Sequence, residues 1–158
     1  MGLSFKEICD RVRSPFPSAI LEVVEPNGDP FVVLDAATLI EVCAFLKDTP
    51  ELDFDYLASL GGTDDLQNLW TVIHLYSIRR NHRFVIKVKH DRANPSVASL
   101  CPIWPTANWH ERESYDLYGI RYEGHPDLRR ILLPEDWPGY PMRKDYDFPE
   151  HYQGIPLK

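Results

Sequence analysis

The sequence predicts an α+β domain, in which a mixed or antiparallel sheet carries helices packed against it. The first observation is the order of elements in the hydrophobic pattern, α-β-β-α-β-β-β-α. The second is a globular composition, 44% hydrophobic and 26% charged, in a chain of 158 residues that can bury its own core. We predict a globular domain over residues 1–133. Residues 134–158, called the C-terminal arm below, are rich in proline and aromatic residues and are predicted to be an extended docking arm.

The first predicted elements are a helix and a hairpin. Ser4 and Glu7 form a capping-box pattern, and the apolar residues that follow recur at helical spacing. Residues 19–24 and 31–34 read as strands, and the turn 26–29 joins them.

A second helix and a short strand are predicted next. Asp35 can cap the helix, which Thr49-Pro50 ends. Residues 53–59 then read as a short strand that Gly61-Gly62 closes, because glycine weakens a strand interior.

The clearest strand signal is a second hairpin, formed by residues 70–79 and 84–88 with alternating side chains. Three histidines lie in or beside it, and their spacing does not make a set of metal ligands. We therefore expect exposed or strand-face positions for His74, His82 and His90.

The last predicted helix begins at Pro105, which suits a first helical turn, and ends at Gly119, which suits a C-cap. Before it, residues 96–100 predict a short helical turn.

Composition and missing motifs exclude several classes of function. The net charge of −7 argues against a nucleic-acid partner, and no apolar run approaches the length of a bilayer span. Nucleotide-binding and hydrolase motifs are absent, so we predict no cofactor and no metal. The cysteines are far apart and odd in number, which favours reduced thiols. They are Cys9, Cys43 and Cys101.

Residues 109–146 concentrate opposite charges and aromatic rings. On the last helix Glu113 and Asp116 share a face, and Arg112 can reach Asp116 four residues on. Glu111 points nearly the opposite way. Cations for the two carboxylates come from a basic set further along the chain. This set is Arg129, Arg130, Arg143 and Lys144.

Three interpretations of this cluster stay open. Glu113 and Asp116 could form an acid–base pair, and His110 could add a metal ligand, although no HExxH motif is present. A structural ion network that fixes a docking segment is favoured. His125 is expected to be a hydrogen-bonding turn residue rather than a general base.

The run Glu111-Arg112-Glu113 opens a longer pattern. The pattern resembles the signature of the C subunit of the proton-pumping NADH–quinone oxidoreductase, respiratory complex I, which is the J subunit in the photosynthetic NDH complex. Residues 141–146, Pro-Met-Arg-Lys-Asp-Tyr, are similar to that family's Pro-Leu-Arg-Lys-Asp-Tyr run. The other matching positions are Asp116, Leu117, Tyr118, His125, Arg129, Ile131 and Leu132.

The resemblance implies a non-catalytic subunit without a cofactor, in a hetero-oligomer. It would dock on the D subunit and on iron–sulfur subunits and support electron transfer to quinone coupled to proton translocation. The expected place is peripheral, on the cytoplasmic face of a bacterial inner membrane, with membrane contact only through partners; an organelle-encoded chain also fits, since no Arg- and Ser-rich leader is seen. The expected subunit-interface residues are Glu111, Arg112, Glu113, Asp116, His125, Arg129, Arg130, Pro141, Arg143, Lys144, Asp145 and Tyr146.

Alternative functions remain at this point. The chain could be a freestanding adaptor of the same fold, or part of a related hydrogenase or ferredoxin–quinone complex. It could also be an enzyme that acts alone through Glu113, Asp116 and His125.

Overall fold

Five strands form the central sheet of the protein, whose computed structural model describes residues 2–25 and 28–157. Their spatial order is β1-β2-β5-β4-β3. The β2–β5 pair is parallel and the other neighbours are antiparallel, so the predicted mixed sheet is confirmed. In chain order the strands are β1 (Ile20–Val24), β2 (Phe31–Leu34), β3 (Tyr56–Asp64), β4 (Leu69–Ser77) and β5 (His82–His90).

Three α-helices accompany the sheet in the described part of the chain. Ser4 and Glu7 form the predicted capping box at the first of them. Asp35 accepts the Ala37 N–H at 3.1 Å and so caps a short 3-10 helix, Ala36–Thr38, that leads into the second. The helices are α1 (Phe5–Arg13), α2 (Leu39–Asp48) and α3 (Ala107–Tyr118).

The core lies on one face of the sheet. Phe84, Ile86 and Val88 of β5 are buried as their alternation predicts, and alternate residues of β4, beginning with Leu69, are buried beside them. The apolar sides of α1 and α2 pack into the same cluster. Each such side chain contributes about 1.5–3 kcal/mol through removal from water, which makes this layer the main source of stability.

Strand β3 is longer than the sequence predicts, because it continues through Gly61-Gly62 instead of ending there. A Cβ on Gly62 would lie 2.5 Å from Cδ2 of Tyr118. The glycine therefore serves close packing of α3 on β3, and the predicted strand end is wrong.

The predicted helical turn over residues 96–100 is also wrong. Residues Ser96–Ala98 form β6, which pairs in parallel with β7, Arg121–Glu123. The Ser99 N–H donates to the carbonyl of Glu123 at 2.8 Å and extends the pairing. A strand of three residues depends on its distant partner, so local sequence patterns could not reveal it.

The three histidines lie in β4 and β5, within the expected choice of exposed or strand-face positions, and two of them are buried. His74 is exposed. His82 accepts the Leu3 N–H at 3.1 Å through Nδ1. His90 lies with Nε2 2.8 Å from the Thr71 hydroxyl, and burial lowers its pKa to about 4.

The predicted 19–24 and 31–34 hairpin is confirmed by the antiparallel pairing of β1 with β2, although residues 26 and 27 of its turn lie outside the described residues. Residues 134–157 hold only a small hairpin, β8 (His151–Tyr152) with β9 (Ile155–Pro156). The division of the chain after residue 133 stays a prediction.

The cysteines carry free thiols, as expected, and two of the three are buried. No helix in the described residues has the length and apolar composition that a bilayer crossing requires.

Candidate functional site

Helix α3 is the centre of the charged region. It ends at Gly119, as predicted, where φ is +74° and the backbone N–H donates to the Tyr115 carbonyl at 2.9 Å. A Cβ at Gly119 would lie 2.5 Å from the ring of Tyr140. Glycine thus allows both the left-handed helix end and the approach of the C-terminal arm.

Asp116 holds the chain that follows β7. Its side chain is fully buried, and its carboxylate accepts the N–H groups of Ile131, Leu132 and Leu133 at 3.0, 2.7 and 2.9 Å. Arg130 donates to the same carboxylate at 2.8 Å. Burial opposes ionisation of Asp116, but the Leu133 N–H, Arg130 and the other donors outweigh it and hold the pKa below its ordinary range.

Arg130 ties this carboxylate to the C-terminal arm. Its guanidinium donates to the carbonyls of Asp116, Trp137 and Gly139 at 3.0, 3.0 and 2.9 Å. It also lies 5.4 Å from the ring centroid of Tyr140. Because one arginine satisfies carbonyls on both segments, the arm is fixed against α3.

The predicted contact from Arg112 to Asp116 is wrong. Arg112 is buried, and it donates to the carbonyls of Arg129 and Arg130 at 3.2 and 3.1 Å. Its guanidinium carbon lies 5.3 Å from the Trp109 ring centroid. The two side chains share a helix face, but the segment after β7 supplies each with a closer partner.

Glu113 and Asp116 do not form a carboxylate pair. Glu113 is exposed, whereas Asp116 is buried and saturated with donors. The acid–base interpretation therefore finds no paired site. His110 and Glu113 also lie outside the group of potential metal ligands found within residues 2–25 and 28–157.

Glu111 closes the loop that follows β6. One carboxylate oxygen accepts the Ser99 hydroxyl at 2.6 Å, and the other accepts the Leu100 N–H at 2.6 Å. The Cys101 thiol donates at 3.4 Å. Burial raises the pKa of Glu111, although these donors oppose the shift.

Cys101, Glu111 and His125 offer three potential ligand atoms within 4.8 Å of one another. His125 accepts the Asp127 N–H through Nδ1 at 3.0 Å, so its Nε2 carries the proton in the neutral ring and donates to the Asn108 carbonyl at 3.1 Å. A metal would need a lone pair at Nε2. The contacts therefore fit a hydrogen-bonded network, and the expected turn role of His125 is confirmed.

A second anchor holds the arm at the end of β3. Asp64 accepts the N–H groups of Lys144 and Leu66 at 2.9 and 2.7 Å and pairs with Arg92. Arg92 also reaches Asp145 at 2.5 Å. Burial opposes ionisation of Asp64, but the Lys144 N–H and Arg92 hold its pKa below the ordinary value. Sequence reasoning missed Asp64 and Arg92, since no local signal links positions about 50 to 80 residues apart.

Other residues expected at a subunit interface contact the chain itself. Arg143 donates to the Tyr118 carbonyl at 2.7 Å, where α3 ends. The Tyr146 hydroxyl donates to the Pro138 carbonyl at 2.6 Å and accepts the Trp137 indole N–H at 3.1 Å. These contacts fix the arm to the end of α3 and stabilise its own conformation.

The remaining expected interface residues divide by exposure. Pro141 is half-buried. Arg129 is exposed and pairs with Asp127 at 2.8 Å. Lys144 is exposed, and its ammonium has no partner among the described residues.

Two solved structures share this fold. The structure titled Nqo5 of the trypsin-resistant fragment (1-134) has a TM-score of 0.67 and 28% identity, and the match covers 78% of this chain and 98% of that one. A chain of the membrane-bound sulfane sulfur reductase, an archaeal respiratory membrane complex, has a TM-score of 0.73. The match covers 90% of this chain and 85% of that one. At 21% identity this second likeness shows the fold alone. The fold is therefore one that a chain of a respiratory membrane complex also adopts.

Sequence relatives give the family. Residues 32–152 match the family described as "Respiratory-chain NADH dehydrogenase, 30 Kd subunit". The NADH-quinone oxidoreductase C subunit of Roseiflexus sp. (strain RS-1) is 45% identical over 148 residues, which cover 92% of this chain and 85% of that protein. The corresponding C subunit of Chlorobium phaeobacteroides is 45% identical over 150 residues, 92% and 90% of the two chains. This chain belongs to that family, and the resemblance to the C subunit of complex I is confirmed.

Proposed function

We propose that this chain is a non-catalytic peripheral-arm subunit of a complex I-type NADH–quinone oxidoreductase. It docks on a D-like subunit and on iron–sulfur subunits, and the assembly transfers electrons to quinone while it translocates protons. Family membership supports the complex. The surface around α3 supports docking as the chain's own contribution.

Exposed apolar side chains on α3 and on the segments bound to it carry this proposal. Trp109 and Leu132 are each 61% exposed, Met142 is 51% exposed and Phe148 is 48% exposed. Single exposed apolar residues are common, but these belong to one hydrogen-bonded unit, because the Leu132 N–H binds Asp116 and the residues around Met142 and Phe148 are anchored to α3 and β3. We call them the docking surface.

The charged signature residues have two different roles in this proposal. Glu111, Asp116 and Arg130 hold the backbone that presents the docking surface. Glu113 and Lys144 are exposed and remain available to a neighbouring chain. Truncation of the first group would disturb the fold of this region, whereas truncation of the second would act on assembly alone.

The proposed place of the chain is a hetero-oligomer on the cytoplasmic face of a bacterial inner membrane, reached through its partners. The role proposed for this chain is packing and docking, which is compatible with either NADH or ferredoxin as the electron donor of the complex. The subunits that accompany the chain would identify the donor.

The test is native purification of the tagged chain from membranes in mild detergent, with identification of its partners by mass spectrometry. Leu132→Ser should lower the yield of co-purified subunits about tenfold, since a central apolar contact contributes more than 1 kcal/mol to binding. The isolated variant should keep its fold, because the Leu132 side chain is largely exposed.

Leu21→Ser is the matched control, because Leu21 is 64% exposed on β1, in an element that does not carry the docking surface. Equal yields from the two variants would contradict docking through this surface. A wild-type chain that purifies alone would contradict the subunit role itself.

A further inference from the structure

A cleft of about 600 Å³ opens where β7, the end of α3 and the C-terminal arm meet. Two arginines line it, Arg121 from β7 and Arg143 from the arm. None of its lining residues is acidic, although the chain as a whole has a net charge of −7. The cleft is therefore a local positive region on an acidic protein.

The charge of Arg121 is not neutralised within the described part of the chain. Arg121 is exposed, and its backbone N–H donates to the Pro95 carbonyl at 2.9 Å. Its guanidinium makes no hydrogen bond or ion pair with a residue of the ranges 2–25 and 28–157. Five N–H donors in a planar fork are thus free to bind a ligand.

The charge of Arg143 also lacks a carboxylate partner among the described residues. Arg143 donates to the carbonyls of Tyr118 and Arg92 at 2.7 and 3.4 Å. Such contacts orient the guanidinium but leave its full positive charge. By contrast, two neighbouring arginines each pair with a carboxylate. Arg92 precedes the lining residue Ala93 in the sequence, and Arg130 lies over the ring of Tyr140.

The other walls suit the body of an organic molecule. Tyr115 and Tyr140 pack edge to face with ring centroids 6.4 Å apart, and Arg143 lies 5.0 Å from the Tyr140 centroid. Leu128 and Asn94 also line the cleft. Two aromatic rings thus stand beside two convergent guanidinium groups, and the volume of the cleft lies within the range of small-molecule sites.

We propose that this cleft binds a small soluble organic oxyanion, a carboxylate or phosphate compound, between Arg121 and Arg143. Arg143 is held in place by backbone carbonyls, so it offers a preorganised donor. Arg121 completes the site as a second fork. Tyr115 and Tyr140 border the space for the body of the ligand.

The test is isothermal titration of the full chain with citrate and, separately, with phenyl phosphate, at low ionic strength where charge contacts are least screened. The wild type should bind at least one of them saturably with one site per chain. Arg121→Gln should weaken that affinity about tenfold, the effect of losing one charge-assisted contact. Its fold should be unchanged, because its side chain holds nothing else in the described structure.

Arg79→Gln is the matched control, because Arg79 is an equally charged residue at a turn, 77% exposed, whose nearest carboxylate is 3.9 Å away. Equal weakening by both substitutions would mean non-specific attraction and would overturn the proposal. So would the absence of saturable binding up to about 10 mM of either anion. Binding to anionic phospholipid vesicles alone would also overturn it, since the ligand would then be a lipid surface. The titration uses the isolated chain, so its outcome does not depend on whether the chain assembles into a complex.

Discussion

Substitution of Asp116 by asparagine tests whether this carboxylate organises the region after β7. Asparagine has nearly the same shape, but only one of its two terminal atoms accepts hydrogen bonds. If that oxygen faces the N–H groups of residues 131–133, the amide group faces Arg130, donor against donor. The reverse orientation leaves the three N–H groups without an acceptor.

The magnitude follows from the four contacts that the carboxylate makes. Loss of one charge-assisted bond costs about 1.5–3 kcal/mol, and conversion of three others to neutral bonds adds roughly 0.5 kcal/mol each. We therefore expect Asp116→Asn to lower the free energy of unfolding by about 3–4.5 kcal/mol. For a chain of this length that corresponds to a fall in Tm of roughly 6–18 °C.

Urea unfolding followed by circular dichroism measures this change, and limited proteolysis of the native state reports whether the arm is released. Glu113→Gln is the control, because Glu113 is an exposed carboxylate on the same helix and its substitution should change stability by less than about 0.5 kcal/mol. If Asp116→Asn stays within about 1 kcal/mol of that control, the reasoning that the carboxylate holds this segment is refuted.

Two further predictions use the same unfolding assay. Gly119→Ala should destabilise the protein by about 1–3 kcal/mol, because φ is +74° and the new Cβ would meet Tyr140. At Gly124, φ is +79° and nothing lies within 4 Å of an added Cβ. Gly124→Ala should therefore lose only the stability that the backbone conformation costs, and equal losses from the two substitutions would contradict the packing role of Gly119. The pKa values of Asp64 and Asp116 lie below the ordinary 3.8, so their stabilisation is present above that pH and is lost as the pH falls through the folded values. The urea concentration at the unfolding midpoint should therefore decrease when the pH is lowered below about 3.8. This decrease should be less steep in the Asp64→Asn, Asp116→Asn double variant. If the midpoint falls equally steeply with pH in both proteins, other groups cause the acid sensitivity.

Local signals in the sequence predicted the elements that carry them. The capping box at Ser4, the alternation in β4 and β5, and the glycine at the end of α3 each act over a few residues, and each prediction is confirmed. Gly61-Gly62 shows the limit of such reasoning. Glycine signals either a strand end or a close approach, and only the position of Tyr118 decides between them.

The sequence predicted which residue types the site contains but not which residues contact one another. The sequence placed acidic residues on the last helix and basic residues after it, and their spacing matched the family pattern. It could not show that Arg112 binds backbone carbonyls, nor that Arg130 is the partner of Asp116. Side chains on one helix face compete with partners from other segments, and the outcome depends on which segment lies closer.

The sequence by itself determined the fold class, the main helices and strands, and the family, because periodicity, caps and a long mixed signature are all written in the order of residues. Only the tertiary structure decided that most of the signature charges serve the chain's own C-terminal region. It also decided which apolar and basic groups stay exposed. The physical reason is that burial and pairing are properties of neighbours in space. Asp64 and Lys144, 80 positions apart, become neighbours only when α3 packs on β3 and the arm crosses both.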